Sequence, residues 1–451
     1  MLFLFRGGSL LALAALSLLT STSISAVAQE TAQASVPAPS GITMLERLVI
    51  DVASEPTSAT GTIGEPMAPY AGGQVASGTT LGVLGNRPVL NTPFSVTGYT
   101  NELIRDQQAR SIGEVALNDP SVRNDASPFS ERDAFFIRGF SVTNLDTAFD
   151  GLFYIANPRR SFLEGIEQVE ILKGPTALVN GGIGRVGGTI NLIPKRATTQ
   201  PLTRITTTFT SDAQLWSHLD FGRRFGPEGE WGVRVNGSYR NGNTPYDNNL
   251  VEVGVASLGL DYRGERFRAS LDLNHSTQNI DAPTSLFNSA APGIVIPSAP
   301  SGRINLSSPF EYHDSTYNMV AGRVEFDVLP NTTIYAAGGV SRYREDFLSS
   351  SHRIIDASGA AQATLAIQPQ QIQGFSGEIG LRSEFDTGPV GHQVNVSRGR
   401  STKTIVAALL RPPSSFPEHT PPIFMRRSTF PTVRWTRVAF RVRTVCHYSR
   451  T

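Results

Sequence analysis

A single cysteine, Cys446, stands in 451 residues. That excludes a disulfide framework and any metal site built on several thiolates. The seven histidines are scattered and form no H-x-x-x-H or H-E-x-x-H pair, so the spacing offers no helix-borne zinc site. No G-x-S-x-G elbow and no P-loop is present. Basic and acidic residues nearly cancel, 39 against 38, which removes the case for bulk nucleic-acid binding. Beyond the N-terminus no apolar run is long enough for a transmembrane helix. What the chain has in quantity is glycine, 42 residues, with 8% aromatics, a balance suited to a β-rich protein with many turns.

Residues 1–28 read as a secretory signal peptide. Arg6 supplies the charged start, Leu10 to Leu19 the apolar run, and Ala26-Val-Ala28 the small-residue cleavage site. An exported chain without a helical span is either soluble or a β-barrel. Residues 29–75 are rich in Ala, Ser, Thr, Pro and Gly and read as a flexible arm. One β-prone island interrupts it, Leu45, Glu46, Arg47, Leu48, Val49, Ile50, Asp51 and Val52. With nothing of its own to pack against, it suits strand addition to a partner's sheet edge.

Residues 76–197 read as a compact α/β unit. Pro93 to Thr97 is strand-like, Asn101 to Arg110 helix-like, and Ser111-Ile-Gly-Glu114 is a capping-box pattern before a second helix over 112–117. Four β-like runs follow, Phe135 to Phe140, Asp150 to Ile155, Ile166 to Leu172 and Gly188 to Ile193. Gly182-Ile-Gly184-Arg-Val-Gly187 is a literal G-x-G-x-x-G. A dinucleotide cradle requires those glycines to open a helix. Here Ile190, Leu192 and Pro194 alternate after them, so the expected structure is a glycine turn entering a strand.

From about residue 200 the period is two. Trp231, Val233, Val235 and Tyr239 alternate with Arg234, Asn236, Ser238 and Arg240; Phe267 to Leu273 and Val320 to Val328 repeat the pattern. Ile379, Leu381 and Phe385 alternate with Glu378, Arg382 and Glu384. Apolar one way and charged the other over ten residues fits a transmembrane barrel and also a soluble antiparallel sandwich. Short turns such as Pro227-Glu-Gly229, a long polar loop over 276–315 and the export signal favour the barrel.

Several of these stretches together resemble the TonB-dependent outer-membrane receptors, specifically their ferric-siderophore branch. They are the Leu45–Val52 island, Val89-Leu-Asn-Thr-Pro-Phe-Ser-Val96, Asn118-Asp-Pro-Ser-Val-Arg123 and Phe136-Ile-Arg-Gly-Phe140, with Gly165 to Pro175 and Gly187 to Lys195. The resemblance implies an α/β plug domain over 76–197, followed by the first part of a transmembrane antiparallel β-barrel over 198–397. A complete wall in that family has about 22 strands. It implies an energy-coupled importer rather than an enzyme, working as a monomer in the outer-membrane lipid. No cofactor is implied, since iron arrives only within the ferric siderophore. Capture would involve plug loops carrying Phe129, Arg132, Tyr154 and Arg159, the aromatics on the chelator's rim and the arginines on anionic oxygens. The 45–52 box would pair with the periplasmic domain of TonB. Arg138 and Lys173 would meet barrel-wall glutamates, because a buried charge needs a partner.

The sequence leaves this pattern after His392-Gln-Val-Asn-Val396. Residues 398–451 hold eleven Lys/Arg against one acid, Glu418, with Pro-Pro pairs and the only cysteine. A basic arm is one reading of such a tail. The abrupt change at one point reads instead as a shift of reading frame near Ser397. About half a wall then precedes the break, and an open half-barrel leaves unpaired edges that a bilayer does not tolerate. The chain alone is therefore not expected to transport.

Overall fold

The computed structural model describes residues 60–177, 179, 180, 184–284, 287–407, 428, 429 and 439–446. The expected signal peptide, the 45–52 box and residues 181–183 lie outside them, as does most of the basic tail. Among the described residues no helix is long and apolar enough to cross a membrane.

The plug is built on a five-stranded sheet. Ile166–Lys173 lies between antiparallel Ser95–Thr100 and Gly188–Pro194. Gly188–Pro194 in turn pairs in parallel with Ala148–Phe149, and Leu152–Phe153 ends the sheet. Val169, Ile171, Ile190 and Leu192 are buried in its core. Two short helices, Asn101–Asp106 and Ile112–Ala116, add Leu103, Ile104, Ile112 and Val115 to the same cluster. The first helix stops four residues before the expected Arg110, because Gln108 adopts φ +53° and leaves helical space. The capping box forms only in part. Ser111 makes no side-chain cap bond, and the Glu114 carboxylate accepts from Arg110 N at 2.6 Å and Arg110 Nε at 2.9 Å. Within the sheet Glu170 is fully buried. Burial pushes its carboxyl up to about 8, against Thr80 N–H and the Asn191 and Gln168 amides, which donate to it.

The glycine motif leads into the Gly188–Pro194 strand, not a helix. Gly188 has φ +152°, and a Cβ there would collide with the Leu172 carbonyl oxygen. Gly184, Gly187 and Gly188 serve close packing, and the dinucleotide reading falls.

The wall follows as long antiparallel strands paired in chain order. They are Leu202–Thr210, Gln214–Phe225, Trp231–Asn243, Leu250–Arg263, Phe267–Asp281, Tyr312–Leu329, Thr332–Ile354, Gln370–Thr387 and Val390–Ala407. Ala439–Cys446 lies antiparallel along Val390–Ser397. The sheet does not close. Among the described residues Leu202–Thr210 pairs only with Gln214–Phe225. Strands reach further into the polar loop than its composition suggests, so the connection is 282–311 rather than 276–315.

Alternation along the wall is inverted relative to a soluble protein. Asp220, Arg234, Arg268, Asp272, Glu325 and Arg382 are buried, while Ile205, Phe209, Leu273, Val320, Val340 and Phe375 are exposed. The apolar side carries an aromatic row: Phe225 pairs with Trp231, whose ring lies 4.7 Å from Tyr262, itself 6.0 Å from Phe267, which pairs with Phe326. An apolar outer band with an aromatic girdle is the lipid-facing surface of a barrel wall, and it decides against the sandwich. The polar inner face packs on the plug. Tyr317, Met319, Ala321, Ala337, Tyr343 and Ile372 of the wall belong to the plug's own core cluster.

The expected break at 397/398 falls inside a strand, since Val390–Ala407 pairs with Gln370–Thr387 throughout. Its outward register still marks the change. Arg398 and Arg400, both exposed, stand opposite Ile379 and Gly377 on the lipid side. Arginine on that face costs about 2–4 kcal/mol near mid-bilayer. Arg398→Leu is therefore expected to stabilise the inserted chain by about 2 kcal/mol, measured by urea unfolding from lipid vesicles. No gain, or a loss, would mean that Arg398 does not face acyl chains.

Candidate ligand face and plug anchors

The 127–132 loop is organised by a residue the sequence reading passed over. Arg160 is buried, with Nη1 donating to Pro128 O at 2.6 Å and Nη2 to Arg132 O at 2.8 Å, and with Asp133 3.2 Å away. One guanidinium thus ties together the carbonyls of the loop that presents Phe129 and Arg132. Phe129 is half-buried, edge-on to Tyr246 at 5.7 Å, with the Arg110 guanidinium 4.7 Å from its ring centre. Arg132 is exposed, its Nη1 2.8 Å from Glu131 Oε1. A loop that carries an aromatic ring and an exposed cation is suited to an anionic aryl ligand.

Tyr154 and Arg159 face another part of the wall. Tyr154 has φ +66°, rare for a bulky residue. Lys403 Nζ lies 4.6 Å from its ring centre, and Gly374 leaves room for its carbonyl, which any Cβ there would strike. Tyr317 Oη donates to Ile155 O, pinning the same loop. Arg159 is engaged with the wall: its Nε donates to Glu345 Oε2 at 2.9 Å, Nη2 bonds Glu345 Oε1, and Gln370 Oε1 is 3.3 Å away. Burial alone would lower the Arg159 pKa; the adjoining Glu345 carboxylate more than offsets it and holds the guanidinium charged. Phe129 and Arg132 thus share the 127–132 loop, while Tyr154 meets the wall at Gly374 and Lys403 and Arg159 meets it at Glu345 and Gln370.

The expected plug–wall ion pairs at Arg138 and Lys173 are not those the structure makes. Lys173 Nζ lies 2.6 Å from Asp119 Oδ2, inside the plug. Burial would raise the Asp119 pKa, but Lys173 and the Ser121 N–H and hydroxyl outweigh it and hold it low. Arg138 sits exposed in a turn at φ +51°, with no ion pair among the described residues. Among the described residues, then, Lys173 meets a plug carboxylate and Arg138 meets none, and neither is paired with the part of the wall this chain carries.

Other residues join plug to wall. Besides Arg159–Glu345, Lys195 meets Asp220 at 3.1 Å, Arg196 meets Asp272 at 2.8 Å, and Arg323 donates to Asp150 O at 2.8 Å. Lys195 is almost wholly buried, and burial pulls its pKa down despite Asp220. The arm expected over 29–75 is described from Thr60 onward, and there it is bound. Thr62 N lies 2.9 Å from Glu325 Oε2, Thr62 Oγ1 2.5 Å from Oε1, and Ile63 N 3.2 Å from Oε2. Arg268 and Arg382 face the same carboxylate at 3.3 and 3.4 Å.

Residues 88–189 match the TonB-dependent Receptor Plug Domain family. The chain is 38% identical over 346 residues to the ferrichrome receptor FcuA of Yersinia enterocolitica, covering 75% of this chain and 45% of that protein. It is 26% identical over 349 residues to the catecholate siderophore receptor Fiu of Escherichia coli K12, covering 71% and 45%. Among solved structures it is similar to BauA, the ferric preacinetobactin receptor of Acinetobacter baumannii, at 33% identity and a TM-score of 0.74, covering 79% of this chain and 56% of that one. The chain spans about half the length of the curated relatives it matches. All three are receptors.

Proposed function

We propose, on the premise that this chain carries the plug and the first part of the wall of a TonB-dependent receptor, that the whole protein imports ferric siderophores across the outer membrane. The observation that supports this most is a plug whose core continues into the polar inner face of a sheet with an apolar, aromatic-girdled outer face. That arrangement suits a gated passage. The ligand is captured above the plug by Phe129 and Arg132 on one side and Tyr154 on the other. Arg159 positions its loop through Glu345 rather than meeting the chelate. Iron enters only as part of the ligand, and no cofactor takes part. The 45–52 box pairs with the periplasmic domain of TonB, and the receptor acts as a monomer. A plug working alone as a periplasmic module is disfavoured, since wall residues such as Tyr317 and Tyr343 complete its core.

Binding and transport separate in the test. The full chain in detergent micelles is titrated with ferric ferrichrome and with a ferric tris-catecholate, following protein fluorescence. One of them is expected to bind, and Phe129→Ala with Tyr154→Ala to weaken it about tenfold, the loss expected from two aromatic contacts. Iron uptake into cells lacking other receptors is expected to be absent for this chain alone. Equal binding by the double variant would remove the assigned face. Sustained uptake would overturn the view that an open wall does not transport.

A further inference from the structure

The lipid-facing side of the wall carries a groove that neither the plug nor the ligand loops use. It is an open depression of ≈ 470 Å³ on the Tyr312–Leu329, Thr332–Ile354 and Gln370–Thr387 strands, with Thr402 and Thr404 of Val390–Ala407 at its side. Strand register orders the wall in and beside it into rows, of which the first two line the groove and the third lies just past it. Val320, Val340 and Phe375 are cross-strand neighbours and all exposed. The next row outward is Asn318, Arg342 and Gln373, and the one beyond is Thr316, Arg344 and Gln371. Apolar residues thus give way to guanidinium groups within one strand repeat, as at the boundary between acyl chains and head groups.

Two further observations define an occupant. Arg342 and Arg344 form no ion pair among the described residues; Arg342 Nη2 reaches only Gln371 Oε1, at 3.4 Å. The outward carboxylates Asp314 and Asp346 stand one row higher, opposite one another. Below the apolar row, Gly322, Gly338 and Gly377 are aligned across the same three strands. A Cβ would meet nothing closer than 3.5 Å at Gly338 or Gly377, and neither has positive φ. Packing within the protein does not require glycine at those two, whereas at Gly322 a Cβ would press on the Ser270 carbonyl oxygen at 3.1 Å. A row without side chains makes a smooth track on the outer surface, and Arg400 stands beside it opposite Gly377.

We infer that this groove holds an anionic phospholipid of the surrounding leaflet, its phosphate on Arg342 with Arg344 one row beyond, and an acyl chain over the Val320, Val340 and Phe375 row toward the glycine row next to it. Guanidinium groups bind phosphate through paired N–H donors, and long basic side chains extend readily from an apolar band to the head-group level. The inference rests on the wall lying in a bilayer, as proposed above.

The test reconstitutes the full chain with phosphatidylcholine alone or mixed with phosphatidylglycerol. Flotation with the vesicles is scored first, and retained lipid is then counted by native mass spectrometry. Phosphatidylglycerol is expected to be retained in preference. Arg342→Gln with Arg344→Gln is expected to lower that retention about tenfold, as for loss of one charge-assisted contact. Gly338→Leu should lower it without altering charge, by filling the track. A chain that floats yet shows no preference, or a double arginine variant that retains as much phosphatidylglycerol as the parent, overturns the groove assignment alone. A chain that does not float overturns the wall reading and the groove with it. Displacement of the lipid by inorganic phosphate would show a simple anion site and would also overturn it.

Discussion

Asp220→Asn is expected to destabilise the full chain by about 3–5 kcal/mol, as for removal of one partner from a buried ionic cluster. Asp220 lies between two cations. Lys195 Nζ is 3.1 Å from Oδ2, and Arg234 Nε and Nη2 approach Oδ1 and Oδ2 at 2.6 and 2.8 Å. All three side chains are at most 5% exposed. Asparagine keeps the shape and removes the charge, so a buried ammonium and a buried guanidinium are left facing each other. The cluster joins the end of the plug, just after Gly188–Pro194, to the first wall strands. Hydrogen exchange should therefore rise first over 188–197, and urea unfolding in detergent micelles should shift as a whole. A companion variant discriminates the cause. If the charge imbalance is responsible, Lys195→Met combined with Asp220→Asn recovers part of the loss, the coupling expected of neighbours in one network. A loss under about 1 kcal/mol for Asp220→Asn, the range of an exposed pair, would mean that water reaches the cluster.

Period two was legible because it is local. Phe267 to Leu273 and Ile379 to Phe385 announce which side chains turn outward, and the structure places them there. The glycine turn was legible for the same reason, since Ile190 and Leu192 continue it as a strand. Ion-pair partners were not legible, because they are chosen by the tertiary fold. Lys173 met Asp119 and Arg159 met Glu345, and neither separation carries a periodic signal. The sequence offers no means of seeing that Asp119 lies nearest to Lys173. Arg160 went unnoticed because its partners are backbone carbonyls, which every sequence possesses. The Asn101 helix was over-extended because Gln108, an ordinary helix former, takes positive φ only in this packing.

The bound segment at Thr60–Ile63 shows the same limit, and it bears on coupling. Its composition reads as arm, yet its backbone N–H groups converge on one buried wall carboxylate. Glu325→Gln is expected to cost about 3 kcal/mol, as for breaking a buried pair, and to release residues 60–63 from the wall. Two effects add. Arg268 and Arg382 lose a shared anion, although Arg268 keeps Asp327 through Nη1 and Nη2 at 2.7 Å each. The N–H groups of Thr62 and Ile63 lose a charged acceptor, and a charge-assisted bond is roughly twice as strong as a neutral one. The arm sits between the 45–52 box and the plug in sequence. Under the proposed coupling, a pull on the box therefore meets the Glu325 contacts before it reaches the plug sheet. Hydrogen exchange of the inserted chain should rise at Thr62 and Ile63 in the variant, with Ile190 and Leu192 unchanged. Exchange that rises equally in the plug sheet would make Glu325 a general support of the fold. Unchanged exchange at Thr62 would mean that the arm is held by Thr60 and Thr333 instead, whose hydroxyls are 2.5 Å apart.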